Sequence, residues 1–435
     1  MKRLTATIFI LLQLAVSHAD DVQLVLPPLA FGQPVAGKRA VVTAPEYKGT
    51  AVHHQLYLPP DWIPDWKSKG LSWPVVVEYT GNVYPPTGST GKVEDASLGY
   101  GLSGGKCIWV VLPFVSEDHK SNQLMWWGDE KATVEYAKLN VPRICAEYGG
   151  DPKKVVICGF SRGAIAVNYI GLYDDEIAKL WCGFMSHDHY DGAMAWPGTK
   201  WGFPLEEYRK AALTRLQRLH GRPALVCQAV EGGGANMTKN LYLGDLVNLG
   251  KYTFITVPIK KIFPEIPNSL FKATHTDCWM FSDSGERQWA REWLDRTLNP
   301  APAADANGLI TLAAPWADIH GGGLHYQPEQ RSLQGWWYKD YATWPVRFAK
   351  PGRYQVNVTY SCQSGEGGCE YVVEVAGRKL TATATATRDW SDFRTDNTGV
   401  IELQTADQSE VVVRLLKMTG KDALHLRSVA LTPVK

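Results

Sequence analysis

The sequence predicts an α/β protein, with a doubly wound parallel sheet and its crossover helices followed by an all-β sandwich of the jelly-roll kind. Three observations predict it. Between about Val52 and Leu298, short apolar runs of strand length alternate with helical patterns, the order that a parallel sheet with crossovers requires. Most of these runs are β-branched or apolar throughout, as strands buried on both faces should be. After Asn299-Pro300-Ala301-Pro302-Ala303-Ala304 the helical windows all but vanish, and alternating runs separated by Gly, Asp and Asn turns take over.

Taken in order, the chain opens on Met1-Lys2-Arg3, an apolar stretch from Thr7 to Val16, and the small-residue sequence Ser17-His18-Ala19. Basic, apolar and small in that order predicts a signal peptide over 1–19 and a secreted or periplasmic protein. No other segment approaches the roughly 20 apolar residues of a membrane span, so no membrane partner is expected. The next unit, 20–298, has expected strands at 75–79, 108–112, 155–158, 181–185, 224–230 and 253–257. Its expected helices cover 131–148, the segment after residue 161, and 286–298, the last with Trp289 and Trp293 one turn apart. A linker follows at 299–306. The sandwich, 307–435, is about one domain in size, is expected to be carbohydrate-binding-module-like, and has expected strands at 344–349, 353–360, 370–375, 381–387, 400–403, 411–416 and 424–431.

A net charge of +1 over 435 residues argues against a nucleic-acid partner. The 17 tryptophans favour carbohydrate handling, because sugar C–H faces stack on indole rings, although tryptophan also fills cores. Trp127 and His187 are candidate substrate contacts, and Trp336, Trp337 and Tyr338 are candidate stacking residues on the sandwich. Of eight cysteines, Cys158, Cys182 and Cys227 fall in expected strands and read as small buried hydrophobes. Cys362 and Cys369 flank the turn-like Gln363-Ser364-Gly365-Glu366-Gly367-Gly368 and are expected to form a local disulfide.

The chemistry is carried by Gly159-Phe160-Ser161-Arg162-Gly163, entered from the apolar Val155-Val156-Ile157-Cys158 and left through Ala164-Ile165-Ala166-Val167. A serine on a sharp strand-to-helix turn needs small residues two positions before and after it. Both are glycine here. Such a turn aims the Arg162 amide at the place where an oxyanion forms during acyl transfer, and Gly81, in the turn after 75–79, is the candidate second donor.

A serine hydroxyl needs a base, and the base an orienting acid. His275 lies after the last expected strand and before the last helix, where such a base belongs; His53, His54, His187 and His189 are lesser candidates. Glu231, at the end of strand 224–230, is the expected acid, with Asp188 or Asp191 as alternatives and Asp245 or Asp277 behind them. His187-Asp188-His189 has a His-x-His spacing, but a metal would need further convergent ligands, and no metal or cofactor is expected.

On these residues the segment 45–298 resembles secreted serine esterases of the α/β-hydrolase superfamily, in the layout of polyhydroxybutyrate depolymerases and of feruloyl and acetyl-xylan esterases. Tyr148-Gly149-Gly150-Asp151-Pro152-Lys153-Lys154-Val155 leading into the Ser161 turn, and the late His275, carry the resemblance. It implies Ser161 as nucleophile and His275 as base. The Ser161-Arg162 pair is also similar to the elbow of glucuronoyl esterases, which implies an oxyanion role for Arg162, although no lysine follows Gly163. The C-terminal segment resembles β-sandwich modules of secreted glycosidases and sulfatases through Pro351-Gly352-Arg353-Tyr354-Gln355-Val356. The expected function is removal of acyl or aryl ester groups from a polysaccharide. A serine peptidase or lipase, and a catalytically inactive carbohydrate-binding protein, are the alternatives.

Overall fold

The computed structural model describes residues 24–30, 32–244, 249–267, 274–302, 304–327, 329–365, 367–420 and 422–434. The expected signal peptide, 1–19, and Asp245 lie outside the described residues.

Nine strands form the first sheet: β1 (Leu29–Ala30), β2 (Arg39–Val42), β3 (His54–Tyr57), β4 (Trp73–Tyr79), β5 (Ile108–Leu112), β6 (Gly150–Phe160), β7 (Gly183–His187), β8 (Pro223–Ala229) and β9 (Lys251–Val257). Their order is β1-β2-β3-β5-β4-β6-β7-β8-β9. From β5 to β9 every pairing is parallel, whereas β3 runs antiparallel to both β2 and β5. Alternation along the strands sends successive residues to opposite faces. Val75, Val77, Ile108, Val110, Val155 and Ile157 join one core, and Val76, Trp109, Val111, Val156 and Cys158 join another. The first core takes in residues of α2 (Lys131–Tyr148) and α3 (Arg162–Tyr169). The second takes in residues of α1 (Leu98–Ser103) and α5 (Gly285–Leu298), while α4 (Leu205–Leu216) lies between β7 and β8 in the chain.

Phe114–Val115 and Asn122–Gln123 pair as a separate two-stranded antiparallel sheet, and the strands after residue 309 are β10 (Ile310–Ala313), β11 (Asp318–His320), β12 (His325–Gln327), β13 (Ser332–Gln334), β14 (Tyr341–Arg347), β15 (Gly352–Ser361), β16 (Glu370–Val375), β17 (Arg378–Thr383), β18 (Arg394–Leu403), β19 (Gln408–Lys417) and β20 (His425–Val434). They make two sheets, β12-β13-β20-β15-β18 with β10 on β20, and β11-β14-β19-β16-β17. Every pairing in both is antiparallel. One core built from Trp336, Trp344, Val356, Tyr360, Tyr371 and Val413 among others is shared by the two.

These pairings correct the expected class, an α/β-hydrolase doubly wound sheet plus sandwich. Strand makes up 34% of the chain against 26% helix, three of the four sheets are antiparallel throughout, and the nine-stranded sheet is mixed. The chain is therefore mostly β. The physical reason is that β1 to β3 are only two to four residues long, too short to stand out as apolar runs, while most of the chain beyond Ile310 is strand, as expected there.

Two further expectations are corrected. No disulfide joins Cys362 to Cys369; both sulfurs approach the Ala423 carbonyl oxygen, at 3.3 and 3.6 Å. Trp336 is buried in the sandwich core and cannot stack on a ligand, whereas Trp337 and Tyr338 are 65% and 71% exposed. Side chains of α5 meet the sandwich: Arg296 donates to the carbonyls of Pro315 and Ala317 and pairs with Asp318, and Trp289 packs on Tyr326. Among the described residues no helix is long and apolar enough to cross a membrane.

Candidate active site

Ser161 sits between the last residue of β6 and the first of α3, with φ 55° and ψ −117°. A non-glycine residue at positive φ is strained, and the strain persists only where the surroundings impose it. Here they do so through two close backbone approaches. A Cβ on Gly159 would fall 2.3 Å from the Gly163 carbonyl oxygen, and one on Gly163 would fall 2.0 Å from that of Tyr79. The Ser161 amide donates to the His187 carbonyl at 2.9 Å, which ties the turn to β7.

His275 Nε2 lies 2.9 Å from Ser161 Oγ. Its other nitrogen, Nδ1, lies 3.0 Å from Asp188 Oδ2. Asp188 directly follows β7, takes a left-handed φ of 71°, and accepts a hydrogen bond from the Ala229 amide through Oδ1 at 2.8 Å. Its side chain is only 5% exposed. Burial alone would raise this carboxyl, but the imidazoles of His187 and His275 outweigh it and hold Asp188 well below the usual carboxylate range. An ionised Asp188 beside Nδ1 leaves Nε2 with its lone pair toward the serine, the tautomer that can take the hydroxyl proton.

The expected acid, Glu231, is elsewhere. It stands in a short turn, Val230–Gly232, and its Oε1 accepts the Lys260 amide at 3.2 Å. The reason is register. β8 stops at Ala229, whose amide is held by Asp188, so the carboxylate two residues further on points to the neighbouring Ile259–Ile262 turn. Asp191 is also removed from the histidine, bound through both oxygens to Arg215 at 2.8 and 2.9 Å. Asp277 accepts from Ser97 Oγ.

His187 is not a substrate contact. It is fully buried, its Nε2 lies 2.6 Å from the Trp279 indole nitrogen and 3.1 Å from the Thr276 carbonyl oxygen, and its Nδ1 faces Asp188 Oδ1 at 3.4 Å. His53 pairs with Glu94, and His54 bonds Tyr136; neither touches the serine. His189 packs beside His275 at 5.2 Å between ring centroids, and desolvation followed by the neighbouring His275 lowers it to about 3, so it is neutral.

Gly81 lies against the turn, since a Cβ on it would come within 3.1 Å of Ser161 Cβ. The Arg162 amide is the first of α3, and the leading amides of a helix have no intrahelical acceptor. Both flank Ser161. The arrangement can polarise an acyl group, remove a proton from a hydroxyl nucleophile and shuttle that proton.

Ser161, Arg162, Asp188 and His275 open into a cavity of about 590 Å³ whose lining includes Tyr84, Met125, Trp127, Met194 and Leu241. Trp127 is also shared with a neighbouring, more polar cavity of about 1240 Å³ that contains Glu117, Asp129, Glu130, Lys131 and Lys200. Sequence reasoning missed Trp196 and Trp201. They lie in an irregular loop with no periodicity to mark them, and only their clustering around one cation in space identifies them. Among the described residues no cluster of His, Cys, Asp and Glu could hold a metal ion.

No protein-family model and no curated protein matches the chain. Similar solved structures include a GH26-CBM35 beta-(1,4)-mannanase of Podospora anserina, at 17% identity over 30% of this chain and 28% of that one, TM-score 0.25. The likeness thus spans less than a third of the mannanase. Others are a CBM35 from Cellvibrio japonicus, at 12% identity over 29% of this chain and 94% of that one, TM-score 0.24, and a family 35 carbohydrate-binding module from Clostridium thermocellum, at 13% identity over 29% and 98%, TM-score 0.24. At these scores none of the likenesses assigns the chain to a family.

Proposed function

We propose that the chain is a serine carboxylic-ester hydrolase that removes acyl or aryl ester groups from a polysaccharide. The observation that carries this reading is the line from Ser161 Oγ to His275 Nε2 at 2.9 Å and from His275 Nδ1 to Asp188 Oδ2 at 3.0 Å, at the wall of an open cavity. Ser161 attacks the acyl carbon while His275 Nε2 takes its proton, and Asp188 stabilises the imidazolium that forms. The tetrahedral oxyanion is received by the Arg162 amide, with the Gly81 turn on its other side. Collapse expels the alcohol, which takes the proton from His275 and leaves an acyl-enzyme. Water, deprotonated by the same imidazole, then releases the acid and restores the serine.

A polymeric substrate suits the two adjoining cavities that share Trp127, whose ring is 47% exposed and available to a sugar face. The apolar lining of the smaller cavity also suits a lipase, so the test separates acyl groups as well as establishing turnover. Acetyl, butyryl, feruloyl and methyl-glucuronate esters are offered to wild type and to Ser161→Ala, with folding of the variant verified. Turnover that disappears with Ser161 is the expected result. A folded wild-type protein that hydrolyses none of them, but binds glycans, would be a carbohydrate-binding protein instead.

A further inference from the structure

Arg162 is 8% exposed, yet among the described residues no carboxylate lies within ion-pair distance of it, and its Nη1 has no hydrogen-bond partner. Its guanidinium carbon sits 3.6 Å from the ring centre of Trp196, 4.5 Å from that of Trp127 and 5.8 Å from that of Trp201. The indole faces recover part of the cost of burial, but they leave the N–H edges of the cation without acceptors. Desolvation lowers the guanidinium to about 10, still charged at neutral pH.

Among the described residues no carboxylate or imidazole of the cavity pairs with it, and the one ionisable neighbour that favours its charge is the Tyr208 phenol. Asp188 is committed to His275, His187 and the Ala229 amide, and His189 is neutral. A buried cation with unmatched donors, in a cavity that already holds a nucleophilic serine, is arranged for an anion that arrives with the ligand. The surrounding walls specify the rest of that ligand: Trp127, Met125, Met194 and Leu241 present apolar surface to whatever carries the anion.

We propose that this cleft recognises a carboxylate carried on a ring, seated on the Arg162 guanidinium while the ring face rests on Trp127. The proposal deepens the ester-hydrolase reading by giving its substrate an acidic group separate from the ester. Sugar acids and aromatic acids share this chemistry, and the experiment distinguishes them. Galacturonate and benzoate are titrated calorimetrically into the full chain carrying Ser161→Ala, with galactose and benzamide as their neutral counterparts. At least one acid should bind tenfold or more tighter than its neutral counterpart. In the same background Arg162→Gln should abolish that preference, and Arg162→Lys, which keeps charge without the planar donor edge, should retain part of it. Equal binding of acids and neutral counterparts, or an acid preference that survives Arg162→Gln, overturns the proposal. If Arg162→Gln does not fold, the acid-to-neutral ratio and its weakening by Arg162→Lys decide. Binding to the serine variant needs no turnover, so failure of this proposal and failure of the esterase reading are read separately.

Discussion

Asp188 and His275 stand 3.0 Å apart although they come from opposite sides of two strands, β8 and β9, and the contact depends on Asp188 adopting a φ of 71° at the end of β7. The left-handed turn lets Oδ2 face the histidine while Oδ1 receives the Ala229 amide. On the proposed ester-hydrolase reading, removing the charge while keeping the shape should lower kcat for a 4-nitrophenyl ester by about 10³–10⁴-fold in Asp188→Asn, the scale set by loss of the orienting carboxylate in serine hydrolases. Glu231→Gln should leave kcat within about threefold, because its carboxylate serves the Lys260 amide. The reverse ranking would return Glu231 to the site.

Gly163, in the Ser161 turn, and Gly70, which ends the short helix Trp66–Lys69, have unequal jobs. Gly163→Ala drives a methyl group to 2.0 Å from the Tyr79 carbonyl oxygen, and both neighbours are backbone within a buried sheet. Overpacking of that kind costs about 3 kcal/mol or more, so Tm should fall by about 6 °C or more. Gly70→Ala has nothing within 4 Å and pays only for its φ of 63°, about 1 kcal/mol. Thermal melts of the two variants test the contrast, and equal shifts would contradict it.

The site was legible in the sequence to the extent that chain order carries chemistry. Gly159 to Gly163 marked the turn because backbone crowding leaves no room for a side chain, and His275 was marked by its place before α5. The acid was not resolved, because Glu231 and Asp188 each follow an apolar strand and only their side-chain direction separates them. Strands buried on both faces, such as Ile108–Leu112, were plain in the residue pattern, and so was α2. The class was misjudged where pattern is weakest, at β1 to β3; the strands beyond Ile310 were expected, and they add more β structure than the helices of the first unit offset. The Arg162 cage was invisible, since Trp127, Trp196 and Trp201 meet only through folding.

Trp127 separates two cavities, and its loss should be felt by long substrates more than by short ones. Trp127→Ala removes a ring contact of roughly 1 kcal/mol, equivalent to about a five- to tenfold rise in KM for a polymeric ester. The rise for a small aryl ester should be smaller, because such a ligand meets Trp127 from the 590 Å³ cavity alone and not from both cavities. Parallel KM measurements on the two substrates check this, and an equal rise for both would place Trp127 in the small cavity only.

The final prediction concerns pH and stability away from the site. His53 Nε2 and Glu94 Oε1 lie 2.7 Å apart, and their hydrogen bond raises the imidazole above its ordinary value and lowers the carboxyl below its own. For the histidine, a raised folded-state value means stabilisation that is fully present below about pH 6.5 and lost as pH climbs through the folded value. For the glutamate, a lowered value means stabilisation present above about pH 4.5 and lost as pH falls through the folded value. Only between those limits are both partners charged, so the pair contributes most near pH 5.5. With both side chains about a quarter exposed the contribution is about 1 kcal/mol or less. Glu94→Gln should accordingly lower Tm at pH 5.5 by up to about 2–4 °C and by less at pH 9, where the histidine charge is gone and only Arg39 still faces the carboxylate. A Tm difference that is the same at both pH values would show that the carboxylate acts through shape and not through charge.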